Sequence, residues 1–251
     1  MHIFQPWAGM HPPASGGGEV FDDGTVANTT AVNSTIKTSD WYSNAGIGAG
    51  RVGVGGTVAD TTAVNSRVET SQYSAEAGIG AGLVKGTVTD TLAVNSTVKT
   101  LSWGSDAGIG AGQVDIGGKV AGTTAVDSRV ETLGEYAYAG IGGGQVEGMV
   151  TNTTAVNSRV ETSSSGVNAC AGIGGGLVKG TVANTRAVNS TVETSGVLSG
   201  AAIGGGQVKA GGRVANTTAE NSNVTTSGNA AHAGIGGGRL ILAARLLTPG
   251  R

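Results

Sequence analysis

Residues 171–196 read AGIGGGLVKGTVANTRAVNSTVETSG, and most of the chain is this sentence said again. The tetrad AVNS starts at Ala31, Ala63, Ala93, Ala125 (as AVDS), Ala155, Ala187 and Ala219 (as AENS), in steps of 32, 30, 32, 30, 32 and 32 residues. A second marker, AGIG, starts at Ala45, Ala77, Ala107, Ala139, Ala171 and Ala233, with Ala202-Ile203-Gly204 filling the gap. Self-similarity at a fixed period marks a repeat architecture. The two extra residues of the longer copies fall only in the turn after the glycines, as at residues 51–58, or after the VET tripeptide, as at residues 163–170. Length change confined to turns is what stacked strands with free loops show.

Each unit reads as short strands joined by turns. In the first, residues 25–27 form a short strand, Asn28-Thr29 a turn, residues 30–38 a longer strand, and residues 45–52 a glycine-rich strand after a variable loop. The strand period of two puts Val32, Ser34 and Ile36 on one face and Ala31, Asn33, Thr35 and Lys37 on the other. The Val/Ser/Ile face is expected inside. The glycines suit close approach of neighbouring backbones at a crowded corner. One unit cannot bury its apolar face alone, so copies must stack, with steps of about 4.8 Å. A coil of 30–32 mostly extended residues has a perimeter of roughly 100 Å or less, which suits three faces. The expected fold is all-β, a parallel β-solenoid (β-helix) of about seven coils. The competing architecture is a seven-bladed β-propeller, although a blade normally needs about 40 residues or more.

Composition agrees. Gly is 47 of 251 residues, aromatics are 4% and charged residues 13%, and the apolar residues are mostly Val and Ala. Gly has no strict period of three and Pro is only 4, which excludes collagen. Val, Ile and Thr recurring at fixed places argue against disorder. A net charge of −2 leaves no nucleic-acid footprint. Cys170 is the single cysteine, so no disulfide framework follows. No apolar run is long enough to span a bilayer, and the start MHIFQPWAGMHPP lacks the basic and apolar regions of a signal peptide. The expected divisions are an irregular leader at 1–15, repeats at 16–238 and a divergent tail or cap at 239–251, where Leu240-Ile241-Leu242 begins the densest apolar cluster.

Stacking in register makes a testable column of charges. Glu69 falls between Lys37 and Lys99, and Lys99 between Glu69 and Glu131. Glu131, Glu161 and Glu193 are like-signed neighbours, with Arg129 and Arg159 two residues away on the same face. Each exposed pair is weak, about 0.2–1 kcal/mol, but a slip of register would set like charges together. Glu220 replaces a Val taken as inward in the other copies, so its position is expected to be solvated or in a looser last coil.

The run Gly175-Gly176-Leu177-Val178-Lys179-Gly180, followed by Thr181-Val182-Ala183-Asn184 and residues 187–196, resembles the GLUG motif family of bacterial surface proteins and secreted peptidases. The resemblance covers most of residues 16–238. It departs where Lys179 precedes the closing glycine and where Gln113, Gln145, Gln207 or Arg51 replaces Leu. It implies a β-helical architecture and a surface adhesin setting.

Chemistry-bearing patterns are sparse. Gly46-Ile47-Gly48-Ala49-Gly50 has the wrong spacing for a dinucleotide fingerprint and recurs in every copy. Ca²⁺-binding repeats need a regular Asp after the glycines, and Asp115 stands alone among Lys85, Glu147, Lys179 and Lys209. His2, His11, His232 and Cys170 have no ligand or triad spacing. No catalytic, cofactor or metal residue is therefore assigned, and no enzyme activity is expected. Asn28, Asn33, Asn95, Asn152, Asn189 and Asn216 begin N-x-[ST] sequons, read as repeat vocabulary. Trp41, Tyr42, Tyr73, Trp103, Tyr136 and Tyr138 all fall in the first four variable loops, which stacking would align along one edge. Such a stripe either holds a glycan or protein ligand or folds over the corner and shields it. The leading expectation is a non-enzymatic structural repeat protein, a spacer or adhesin segment at the cell surface or outside the cell, associating with itself. Its rivals are a glycan- or protein-binding module on the aromatic edge, an ice-binding solenoid using the Thr/Asn face around Asn33 and Thr35, and a solenoid glycosidase or lyase. The interrupting Arg67 and Arg129 count against ice binding. No nucleic acid and no membrane span are expected.

Overall fold

The computed structural model describes residues 17–163, 167–240 and 245–247. The expected leader and most of the tail lie outside the described residues. Every strand pairing among the described residues is parallel and joins neighbouring coils at like positions, which makes the chain a parallel β-solenoid of about seven turns and not a propeller. Three sheets run its length. A glycine-rich sheet holds 11 strands, a second sheet 9 and a short-strand sheet 7. The register is the one the repeat demands: Val68 pairs with Val98, Val98 with Val130, and Val130 with Val160.

The tetrad AVNS is a corner, and each of its letters has a job. In the third coil, strands Thr87–Val94 and Thr97–Thr100 meet there. Ala93 points inward and is fully buried, while Val94 points out. Asn95 takes the left-handed backbone conformation, φ 47°, which Asn tolerates better than most residues. Ser96 then accepts a hydrogen bond at Oγ from the Ser66 N–H (3.1 Å) and donates from Oγ to the Val94 carbonyl (2.9 Å). The bond from backbone N–H to the next coil's serine recurs from Ser34 to Ser222, so the corner is stitched coil to coil.

This corner corrects the expected inner face. Ala31 and Ile36 are buried, and Val32 is 54% exposed. The strict alternation of two fails because Asn33, at φ 49°, turns the chain between them. Glu220 is solvated as expected, but for a different reason. It pairs with Val188 on an outward column, and its carboxylate meets Arg186 at 3.3 Å.

The turn expected at Asn28-Thr29 separates strands Thr25–Ala27 and Thr30–Val32 in the first coil only. In the next coil a single strand, Thr57–Val64, runs through the equivalent Asp60, which is left-handed at φ 54°. All six sequon asparagines have left-handed backbone. The repeat therefore places at these positions residues that tolerate left-handed backbone, Asn in most coils and Asp or Gly in others, as at Asp60, Asp127 and Gly122. Asparagine side chains add a short ladder, Asn216 Nδ2 to Asn184 Oδ1 and Asn184 Nδ2 to Asn152 Oδ1, each 3.0 Å.

Inside, two apolar columns run side by side. One stacks Ile47, Ile79, Ile109, Ile141, Ile173 and Ile203 against Val68, Val98, Val130 and small alanines. The other stacks Val52, Val84, Val114, Val146 and Val178 against Val58, Val88 and their equivalents. Thr61, Thr91, Thr123, Thr153 and Thr185 form a buried column whose hydroxyls have no hydrogen-bond partner. The interior is narrow, so glycine is required where strands crowd. A Cβ on Gly142, at φ 108°, would lie 2.5 Å from the Gly174 carbonyl oxygen. The last coil lacks a cover over part of its interior among the described residues: Ile235, which continues the isoleucine column, is 57% exposed. Strand Arg245–Leu247 extends the second sheet by pairing with residues 213–215.

Candidate functional site

The outward charge column forms as the register requires. Lys37 Nζ is 3.5 Å from Glu69, Lys99 Nζ 3.2 Å from Glu131, Arg129 2.8 Å from Glu161 and Arg159 2.6 Å from Glu193. Burial alone would raise the Glu69 carboxyl. The hydrogen bond and charge of Arg67, with the charge of Lys37, hold it below the usual carboxylate range. These pairs satisfy one another across coils and present no cluster of a single sign.

The variable loops stack along one edge, and here the sequence and the structure part in an informative way. An inward threonine ties the base of each of the first five loops, as where Thr38 Oγ1 donates to the Ser43 carbonyl (2.8 Å), Thr100 Oγ1 to Ser105 (2.6 Å) and Thr162 Oγ1 to Ala169 (3.1 Å), while the equivalent Thr194 hydroxyl has no partner among the described residues. The loop between the tied ends can then lengthen without disturbing the sheets. The loop tips are linked coil to coil by Tyr42 N–H to Tyr73 O (3.2 Å), Ser74 N–H to Trp103 O (3.3 Å) and Gly104 N–H to Glu135 O (2.9 Å).

Four of the six expected aromatic residues join into one stripe. Tyr42 meets Tyr73 edge-on at 5.8 Å, Tyr73 lies parallel to Trp103 at 4.8 Å, and Trp103 tilts against Tyr136 at 5.5 Å. Trp41 stands beside the stripe, 66% exposed, and its Nε1 donates to Gln72 Oε1 at 3.1 Å. Tyr138 does not belong. It is buried with Cys170 and Leu177 beneath the loops, and burial pushes its hydroxyl pKa upward. The Tyr73 and Trp103 faces that stack cover each other.

Behind the stripe each loop folds back flat onto the outer face of the glycine-rich sheet. The returning residues are Asn44, Glu76, Asp106, Tyr138 and Cys170. A Cβ on Gly144 would lie 2.6 Å from the Tyr138 carbonyl, so only glycine lets the loop lie this close. Side chains of the returning residues cap backbone amides one coil on. Asn44 Oδ1 accepts from Glu76 N–H (3.0 Å), Asp106 Oδ1 from Tyr138 N–H (2.8 Å) and Cys170 Sγ from Gly200 N–H (3.2 Å). Two carboxyls are buried in this crease. Burial pushes Glu76 up to about 8, against a smaller opposing effect of its own backbone N–H and with a further push from Asp115. Burial likewise holds Asp106 well above the usual range, more than the Tyr138 N–H can offset. The signal for this column was present in the sequence as the residue before each AGIG-type marker, but nothing there distinguishes a buried cap from a loop polar residue.

At the start of the crease Glu19, Tyr42, Asn44, Arg51, Glu76 and Leu83 surround a cleft of about 320 Å³. The Arg51 guanidinium sits 5.3 Å from the Phe21 ring centre and 3.9 Å from Glu19. Among the described residues no group of three or more His, Cys, Asp or Glu side chains is placed to hold a metal ion, and no helix is long and apolar enough to cross a membrane. Compared with family models, with curated proteins and with solved structures, the chain matches none.

Proposed function

We propose that the chain is a non-enzymatic structural segment: a stiff spacer or adhesin stalk, set at a cell surface or outside the cell, that associates with further copies of itself. The observation that carries this reading is the use made of the repeated side chains. Serines, asparagines and most charged residues are spent on stitching one coil to the next, and threonines on tying loop bases within a coil. What remains outside is a rod with nearly uniform sides, suited to holding something at a distance. The GLUG-like repeat text supports the surface setting. Ice binding is disfavoured by half-exposed Arg67, Arg129 and Arg159, which break the flat Thr/Asn face. The second reading, a glycan- or protein-binding edge, draws on Trp41, whose ring has the largest outward area in the loops.

The test is antibody labelling of a tagged chain on intact and permeabilised cells of the source organism. Labelling of intact cells is expected. Labelling only after permeabilisation would contradict the surface setting.

A further inference from the structure

At the cleft at the start of the loop crease, aromatic, aliphatic and polar side chains converge. Its wall is the Tyr42 ring, more than half exposed and braced edge-on by Tyr73. Its floor includes the aliphatic Leu83 side chain, which replaces the arginine and glutamine found on neighbouring coils. Around these stand an amide, Asn44, a guanidinium, Arg51, and two carboxyls, Glu19 and Glu76. Arg51 is held on Phe21, and its approach to Glu19 is long, 3.9 Å, so its N–H groups retain capacity for another acceptor. Glu76 is more than nine-tenths buried, and its carboxyl is met by its own backbone N–H.

We propose that this cleft binds a neutral, hydroxyl-rich ring, one pyranose unit of a saccharide. One apolar face of such a ring packs on Tyr42, and its hydroxyls meet donors and acceptors in alternation. Arg51 donates, Glu19 accepts, and Asn44 does both. Burial keeps the Glu76 carboxyl protonated at neutral pH, since its pKa is pushed up to about 8, and it then donates as well as accepts. With Glu19 and Arg51 offsetting each other and Glu76 neutral, the cleft carries no net charge, which selects against acidic sugars. The volume of about 320 Å³ lies at the small end of the usual range for ligand sites, about 300–1,000 Å³. The proposal stands independently of the spacer reading, because a rod can carry one sugar site or none.

The experiment is saturation-transfer NMR on the full chain with the methyl glycosides of glucose, galactose and N-acetylglucosamine, and with galacturonate as the acidic comparison. At least one neutral glycoside should receive saturation. Arg51→Ala and Tyr42→Ala should each weaken its binding about tenfold or more. Glu76→Gln, which keeps a donor and an acceptor, should retain binding, and Tyr136→Ala, in the stripe but outside the cleft, should leave it unchanged. Circular dichroism of each variant separates loss of the site from loss of the fold, with Arg51→Gln as a milder replacement if Arg51→Ala unfolds. Three results would overturn the proposal: no transfer to any neutral glycoside, binding of galacturonate alone, or binding that survives Arg51→Ala and disappears with Tyr136→Ala. The last would assign the sugar to the aromatic stripe.

Discussion

Single residues decide this fold at its corners. Asn95 and its equivalents hold left-handed backbone, and the following serine joins two coils through one hydroxyl. The recurrence of Asn-Ser was plain in the sequence, but a strand pattern alone assigns such a pair to alternating faces. Val32 was misplaced for that reason. Alternation holds only while φ stays negative, and no composition rule marks the single residue where it does not. The buried carboxyls carry a prediction at the same scale. Glu76 loses its proton near its usual value, 4.5, when unfolded and near 8 when folded. Between those values the folded chain binds more protons, so stability falls as pH rises. It is fully present below about 4.5 and lost as pH passes about 8. Asp106, also raised, adds to the slope in the same direction. Thermal melts should therefore show a higher midpoint at about pH 5 than at about pH 8, and Glu76→Gln should flatten part of that difference. An unchanged slope in the variant would show that Glu76 ionises normally.

At the scale of the strand, the repeat text carried most of what the structure shows. The positions of the strands, the loops that vary in length and the column of opposite charges all follow from copies lying in register. The exact sense of each face did not, because it depends on the corner. Val126 and Val130 make the contrast sharp. They sit four residues apart across the corner; Val130 is fully buried and Val126 lies on the outer side. Val130→Ala should cost about 2 kcal/mol through lost burial and a cavity in a narrow interior. Val126→Ala should stay within about 0.5 kcal/mol, as for surface changes away from special features. Urea unfolding of the two variants measures both values, and equal losses would restore the simple alternation. The aromatic stripe was legible as a set of loops, and its stacking was not. Whether rings show faces or edges depends on side-chain torsions that spacing does not encode, and Tyr138 left the stripe because its loop position turns under the crease.

For the whole molecule, the central claim is that about seven copies form an open column with one coil per step. Strands of the second sheet run from residues 25–27 to residues 245–247 in eight positions, seven steps of about 4.8 Å, or about 34 Å in all. The isoleucine and valine columns and the charge column are consequences of that geometry. A closed ring of copies would keep the local repeat and lose the linear growth. Site-directed spin labels distinguish the two most directly. One label replaces Thr35, and the second replaces Arg129, Arg159, Thr191 or Asn223 in turn, all on one outward column. The distances measured by pulsed electron resonance should lengthen by about 4.8 Å per coil, from about 14 Å for the first pair to about 29 Å for the last. Distances that rise and then fall back as the second label moves toward Asn223 would contradict the column.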